Sequence, residues 1–298
     1  MPSSTAHATL IGFTAVLMWG TLSTLVMLSG HLPPFFATGV AFTVAFALCV
    51  IFWALRGDSI PRHFKMTLKI WLLGIFGIFG FHFFYFLALQ AAPPVEALLL
   101  INLWQMMILL FSVPLLQQKI SIWHMTGAAL GFLGAGVIGY ARFDAATGGF
   151  SLSAGHAYAL ACAVIWALFS VLSRKWQADM PKDAVGVFCG ATALLCLTCH
   201  ALLEPAVDAT PMQYLWLALM GIGPMGLAFF TWDYGVKHGD IALLGVLAYI
   251  GPLIGISLLI LLGFSLFTWT LGLAALLIIG GASLGSAGPM LMRRLKSA

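Results

Sequence analysis

Charge is what this sequence has least of. Among 298 residues there are 13 Lys or Arg and 9 Asp or Glu, and charged residues make up 7% of the chain. A soluble domain carries about 25%, and a water-facing surface cannot be built from so few. The net charge of +4 is small and scattered along the chain, which argues against a nucleic-acid partner. Cysteine is scarce too. Cys49, Cys162, Cys189, Cys196 and Cys199 all lie in apolar runs and are odd in number, so they suggest no disulfide framework. The first seven residues contain no Lys or Arg, and the first apolar run is long enough to span a bilayer. A cleavable signal peptide is therefore not expected. No carboxylate falls in the middle of an apolar run, where ionised groups mark ion or proton paths. A proton pump built on a carboxylate relay is thus disfavoured.

What the chain has is apolar bulk: 62% hydrophobic residues, 32 glycines and a mean hydropathy of +1.05. A membrane helix needs about 20 apolar residues. Ten such runs are present, at about 8–28, 34–55, 70–91, 94–116, 121–140, 155–174, 183–203, 212–235, 241–263 and 266–290. With ten spans, one side of the membrane holds both termini and the even-numbered loops. That side carries Arg56, Arg62, Lys65, Lys69, Lys119, Arg174, Lys175, Lys182, Lys237, Arg293, Arg294 and Lys296; the other side carries Arg142 alone. The bias puts both termini in the cytoplasm.

The halves repeat. A shift of 146 places Gly77, Gly80, Phe83 and Phe84 on Gly223, Gly226, Phe229 and Phe230, and Trp123, Gly134 and Gly139 on Trp269, Gly280 and Gly285. A shift of 147 places Trp19 and Ser23 on Trp166 and Ser170, and Pro34, Gly39 and Cys49 on Pro181, Gly186 and Cys196. Each half has five helices, an odd number, so the second half enters from the opposite side. The expected fold is an all-α polytopic membrane protein with ten transmembrane helices in two inverted-topology five-helix repeats. The repeats, 1–145 and 146–298, form one membrane domain. In transporters of this architecture the substrate sits near the midplane, between the repeats.

On these residues the chain resembles the drug/metabolite transporter superfamily in its ten-helix form. Trp19-Gly20 and Trp166-Ala167 resemble the family's tryptophan-small pattern, and Ala242 to Pro252 resembles its apolar-then-proline ninth helix. Within the superfamily the likeness is to bacterial exporters of aromatic amino acids. Trp104-Gln105 departs from the family pattern, since many relatives carry Ser-Pro there. The resemblance implies export by alternating access across a bacterial inner (cytoplasmic) membrane, with the lipid bilayer and a small-molecule substrate, an aromatic amino acid or similar, as partners. It implies no cofactor, no metal and no enzymatic step.

Placing each run by its ends puts Trp19, His82, Trp104, Gln105, Trp166, Pro224 and Tyr249 near mid-depth, with Tyr85 and Asn102 within about a turn. Tryptophan and tyrosine ordinarily collect at the membrane surfaces. A cluster at the centre suggests a cavity with aromatic walls; the competing explanation is interhelical glue. His82 with Tyr85, and Asn102 with Gln105, each share a helix face. The expected substrate-binding residues are Trp19, His82, Tyr85, Asn102, Trp104, Gln105, Trp166 and Tyr249. The expected hinges are Pro224, Gly251 and Pro252, because proline removes a helical hydrogen bond and frees a carbonyl. Asp233 and Asp240 read as boundary residues beside Lys237.

Two motifs mislead. Cys196-Leu-Thr-Cys-His200 has the C-x-x-C-H spacing of haem attachment but lies in a helix with no solvated loop. Gly221 to Gly226 matches G-x-G-x-x-G without a strand before it. Gly127, Gly131, Gly281 and Gly285 form small-residue faces suited to tight helix contact, either within the chain or in a homodimer through helices five and ten. Alternatives of the same fold are exporters of drugs, nucleosides or other metabolites. An intramembrane enzyme would need a base or ligand partner for His82, and none is evident.

Overall fold

The computed structural model describes residues 4–92, 94–140, 153–181, 183–264 and 266–297, and among these all regular structure is helical. Ten helices form the bundle. They are α1 (Ser4–Ser29), α2 (Pro34–Leu55), α3 (Leu68–Ala91), α4 (Pro94–Ile101 and Trp104–Leu116) and α5 (Ile122–Tyr140), followed by α6 (Ala154–Lys175), α7 (Ala184–Leu203), α8 (Pro211–His238), α9 (Ile241–Leu247 and Ile250–Leu261) and α10 (Trp269–Ser297). Eight are long and apolar enough to cross a bilayer, while α5 and α10 contain shorter apolar stretches, Ile122–Val137 and Trp269–Gly285. The outward faces are hydrophobic: Leu55, Leu202, Leu276 and Trp269 are all exposed, as a lipid-facing surface requires. The expected repeat boundary at 145/146 and Arg142 lie outside the described residues.

Packing follows a two-fold pattern. Helix α1 lies against α8 and α9 of the other half, and its twin α6 lies against α3 and α4. Helix α2 packs along its own twin α7, and α5 along its twin α10. Both twin pairs run antiparallel. A Cβ at Gly39 would meet Leu197, one at Gly190 would meet Phe46, and one at Gly186 would meet Cys49 and Trp53. Residue numbers rise along α2 as they fall along α7. A Cβ at Gly127 would stand 2.6 Å from the Gly281 carbonyl oxygen, and one at Gly134 would stand 2.9 Å from that of Ala274. Twins that point in opposite directions are the direct mark of inverted repeats.

The glycine faces of α5 and α10 thus meet each other inside the chain, where only a missing side chain lets the backbones approach so closely. A homodimer through the same two helices would have to use their lipid-facing residues instead, such as Leu133, Leu273, Leu276 and Ile279.

Near their middles the helices loosen in pairs. Helix α3 widens to a π turn at Ile75–Gly80 and α8 at Gly223–Leu227, positions related by the repeat. Helix α4 leaves the α-helical ladder at residues 102–103 and α9 at 248–249, where the Leu103 and Tyr249 N–H groups reach back only three residues, to Leu100 and Val246. In α9 the cause is Pro252, which lacks the N–H that would reach the Ala248 carbonyl; the Gly251 N–H takes that carbonyl at 3.1 Å. In α4 the matching position is Met106, yet the break persists. There the Leu98 carbonyl accepts both the Asn102 backbone N–H at 3.0 Å and the Asn102 side-chain amide at 2.8 Å, and the next N–H, of Leu103, turns to the Leu100 carbonyl at 3.1 Å.

One end of the α2–α7 pair is tied by a carboxylate. Glu204 accepts from the backbone N–H of Phe35 at 2.7 Å and of Phe36 at 3.0 Å, the free donors at the start of α2. His200, the histidine of the C-x-x-C-H spacing, lies 3.0 Å from the same carboxylate.

Candidate substrate-binding site

Four indoles converge from four helices. Trp19 of α1 lies 5.6 Å from Trp166 of α6, 5.2 Å from Trp232 of α8 and 6.4 Å from Trp104 of α4, measured between ring centroids. Trp104 in turn lies 6.3 Å from Trp166 and 5.6 Å from Trp232. Most of these pairs are edge-to-face, the arrangement that sets a ring's positive edge against its neighbour's negative face. Trp19 and Trp166 are repeat twins, so the cluster straddles the pseudo-two-fold.

Local structure explains why the rings meet. The two π turns rotate the following residues of α3 and α8 and leave carbonyls inside the bundle. The Trp19 indole N–H donates to the Pro224 carbonyl at 3.0 Å. At the matching position in the other half, the Ile78 carbonyl lies 2.8 Å from Nδ1 of His82. A carbonyl only accepts, so Nδ1 carries the proton and Nε2 is left as the ring's acceptor. His82 is surrounded by phenyl rings: Phe42 at 5.2 Å, Phe81 at 5.3 Å and Phe229 at 6.4 Å. Phe229 also touches Trp19 and Trp166, at 6.0 and 5.6 Å, which links His82 to the indoles. Tyr85 joins the edge of this group through Phe81 at 6.0 Å.

Of the amides of α4, Asn102 lies in the turn that interrupts the helix and Gln105 in the first turn of the segment that follows. Gln105 is 1% exposed, and its Nε2 lies 3.4 Å from Oδ1 of Asn102. Its Oε1 is buried without a hydrogen-bond partner. Tyr249 sits at the turn that interrupts α9 but packs with Leu109, Ala128, Val246 and Ile278, and it makes no ring contact with the indoles among the described residues. Its hydroxyl is buried beside the backbone of Met106. The hinge candidates fall where the helices loosen: Pro224 within the π turn of α8, Gly251 and Pro252 just after the break in α9.

Trp232 and Phe229 were not among the residues singled out from the sequence, although both are in the cluster. The signal was present. Continuing the 146 shift by three residues from Phe83 and Phe229 pairs Phe86 with Trp232, and Phe229 and Trp232 share a helix face. The paired serines behave differently. Ser170 is fully buried and accepts the Trp232 indole N–H at 3.0 Å, whereas Ser23 is exposed.

The sequence profile of the EamA-like transporter family matches the chain twice, at residues 7–140 and 153–286, and the two matches are offset by the same 146 residues as the repeat. A curated relative, the aromatic amino acid exporter YddG of Ancylobacter novellus, is 42% identical over 287 residues, covering 95% of this chain and 98% of that protein. A solved crystal structure of 42% sequence identity superposes with a TM-score of 0.89 over 97% of this chain and 99% of its own. With ten helices in two inverted halves, each half matching the family by itself, the chain belongs to the EamA-like transporter family, a family of multi-pass membrane proteins.

Proposed function

We propose that the chain exports aromatic amino acids and related small metabolites by alternating access, with the aromatic cluster as the substrate site. One observation carries this reading: Trp19, Trp104, Trp166 and Trp232 come from both repeats and meet in one cluster, which Phe81 and Phe229 join to His82. Flat rings add to such walls at about 0.5–1.5 kcal/mol per aromatic pair. Nε2 of His82 supplies an acceptor, and Gln105 Oε1 is a buried polar atom with no hydrogen-bond partner among the described residues. The activity named for the relative, export of aromatic amino acids, supports the same substrate class.

The repeats, taken as 1–145 and 146–298, move against each other about Pro224, Gly251 and Pro252. The twelve-to-one distribution of Lys and Arg supports cytoplasmic termini in a bacterial inner membrane. The reading is transport and not catalysis, since the described neighbours of His82 are a carbonyl and phenyl rings, with no carboxylate to form a base pair. The test is counterflow in proteoliposomes with radiolabelled phenylalanine. Aromatic amino acids should compete and aliphatic ones should not, and Trp104→Ala and His82→Ala should slow exchange without preventing insertion. Parent-like exchange by both variants would refute the site; competition by nucleosides or amphipathic drugs alone would refute the substrate.

A further inference from the structure

Asp233 does not behave as a boundary residue. It is 6% exposed on α8, where it accepts from the Lys237 ammonium at 2.6 Å through Oδ2. Each side chain of the pair is 8% exposed. Asp233 Oδ1 is buried with no hydrogen-bond partner among the described residues. Arg174, the nearby cation of α6, is already engaged. Its guanidinium donates to the carbonyls of Val236 at 3.0 Å and Gly239 at 2.7 Å. A buried carboxylate with one oxygen unmet is costly in a bilayer-facing bundle, and such groups mark function more often than stability.

The position is informative. Asp233 follows Phe229 by four residues, on the same helix face, and Trp232 by one, so it lies one turn beyond Phe229 at the edge of the aromatic cluster, toward the face with the termini. On α6, Ser170 bonds Trp232, and Ser173, one turn further in the same direction, is fully buried with an unpartnered hydroxyl. Two unmet polar groups therefore lie just past the indoles. One helical turn is about 5.4 Å, of the order of the reach from the α-carbon of an aromatic amino acid to its ring.

We propose that Asp233 and Lys237 form a subsite for the zwitterionic head of an α-amino acid. Asp233 Oδ1 accepts from the ligand's ammonium, and Lys237, which has donors to spare beyond its bond to Oδ2, donates to the ligand's carboxylate. The side chain then extends to the rings of Phe229, Trp232 and Trp19. Side-by-side opposite charges match a zwitterion and reject ligands that carry only one of its charges. This assignment rests on the aromatic amino acid reading and adds the group that recognises the head.

The test is binding of tryptophan, tryptamine (no carboxylate) and indole-3-propionate (no ammonium) to purified protein. Asp233→Asn should weaken tryptophan and tryptamine by about tenfold or more and spare indole-3-propionate. Lys237→Met should weaken tryptophan and indole-3-propionate and spare tryptamine. Equal effects on all three ligands, or none, would overturn the subsite. If either single variant fails to fold because its partner charge is left alone, the neutral pair Asp233→Asn/Lys237→Met decides. It should erase the parent's preference for tryptophan over both half-ligands, and a surviving preference overturns the proposal. Failure of the parent to bind tryptophan would instead overturn the aromatic reading on which the subsite rests.

Discussion

Trp19→Phe offers the sharpest probe of how the halves are joined, because its repeat twin supplies the control. Trp19 and Trp166 share part of their surroundings, lying 5.6 Å from each other and 6.0 and 5.6 Å respectively from Phe229, while Trp19 also meets Trp232 and the more buried Trp166 meets Phe81 and Phe169. Their hydrogen bonding differs: the Trp19 indole donates to the Pro224 carbonyl at 3.0 Å, and no described hydrogen bond involves the Trp166 indole. Phenylalanine at either position trims the same part of the ring, and only at Trp19 does it also remove a hydrogen bond. A neutral bond contributes about 0.5–1.5 kcal/mol net, and a stranded buried acceptor costs about 1–3 kcal/mol. Trp19→Phe should therefore be less stable than Trp166→Phe by about 1–3 kcal/mol, roughly 5- to 100-fold in the unfolding equilibrium. Denaturant titration in mixed micelles, followed by circular dichroism, measures the difference. Equal midpoints and slopes for the two variants would refute the idea that the π-turn carbonyl is held from the opposite half.

Other expected outcomes follow from the same coordinates. Ser170→Ala should cost about 1–3 kcal/mol, because it strands the buried Trp232 indole N–H, and Ser23→Ala should be near neutral; the same titration compares them. Gly127→Leu should destabilise by about 1–3 kcal/mol or more by forcing α5 from α10, whereas Gly280→Ala, which meets nothing within 4 Å, should stabilise by up to about 1 kcal/mol. Glu204→Gln should loosen the start of α2 by about 0.5–2 kcal/mol, read as faster amide exchange at Phe35 and Phe36. Unchanged exchange there would refute the clamp.

The span count and the repeat were legible in the sequence because both follow from hydropathy and spacing, which need no tertiary contact. The break at residues 248–249 was foreshadowed by Pro252, a covalent cause. Its partner at 102–103 has no proline, and nothing in the run Ile101 to Met107 announces it beyond the polarity of Asn102. Depth alone grouped Tyr249 with the tryptophans, but depth is one coordinate of three, and the ring packs against Gly131 on another side of the bundle. Asp233 was read as an interfacial residue from its distance along α8. Its burial depends on neighbours from other helices, which a linear pattern cannot express. The glycines of α5 and α10 announced a close contact without naming the partner, since the same ridge serves a neighbour in the same chain or in another.

The antiparallel union of each twin with its own counterpart, α2 with α7 and α5 with α10, has a consequence for ancestry. A single five-helix unit able to insert either way up would meet a second copy through these same surfaces, in an isologous dimer with the axis in the membrane plane. Fusion of two such units would then have added a tether to an assembly that already existed. Severed between residues 140 and 153, the two pieces should still find each other in the bilayer.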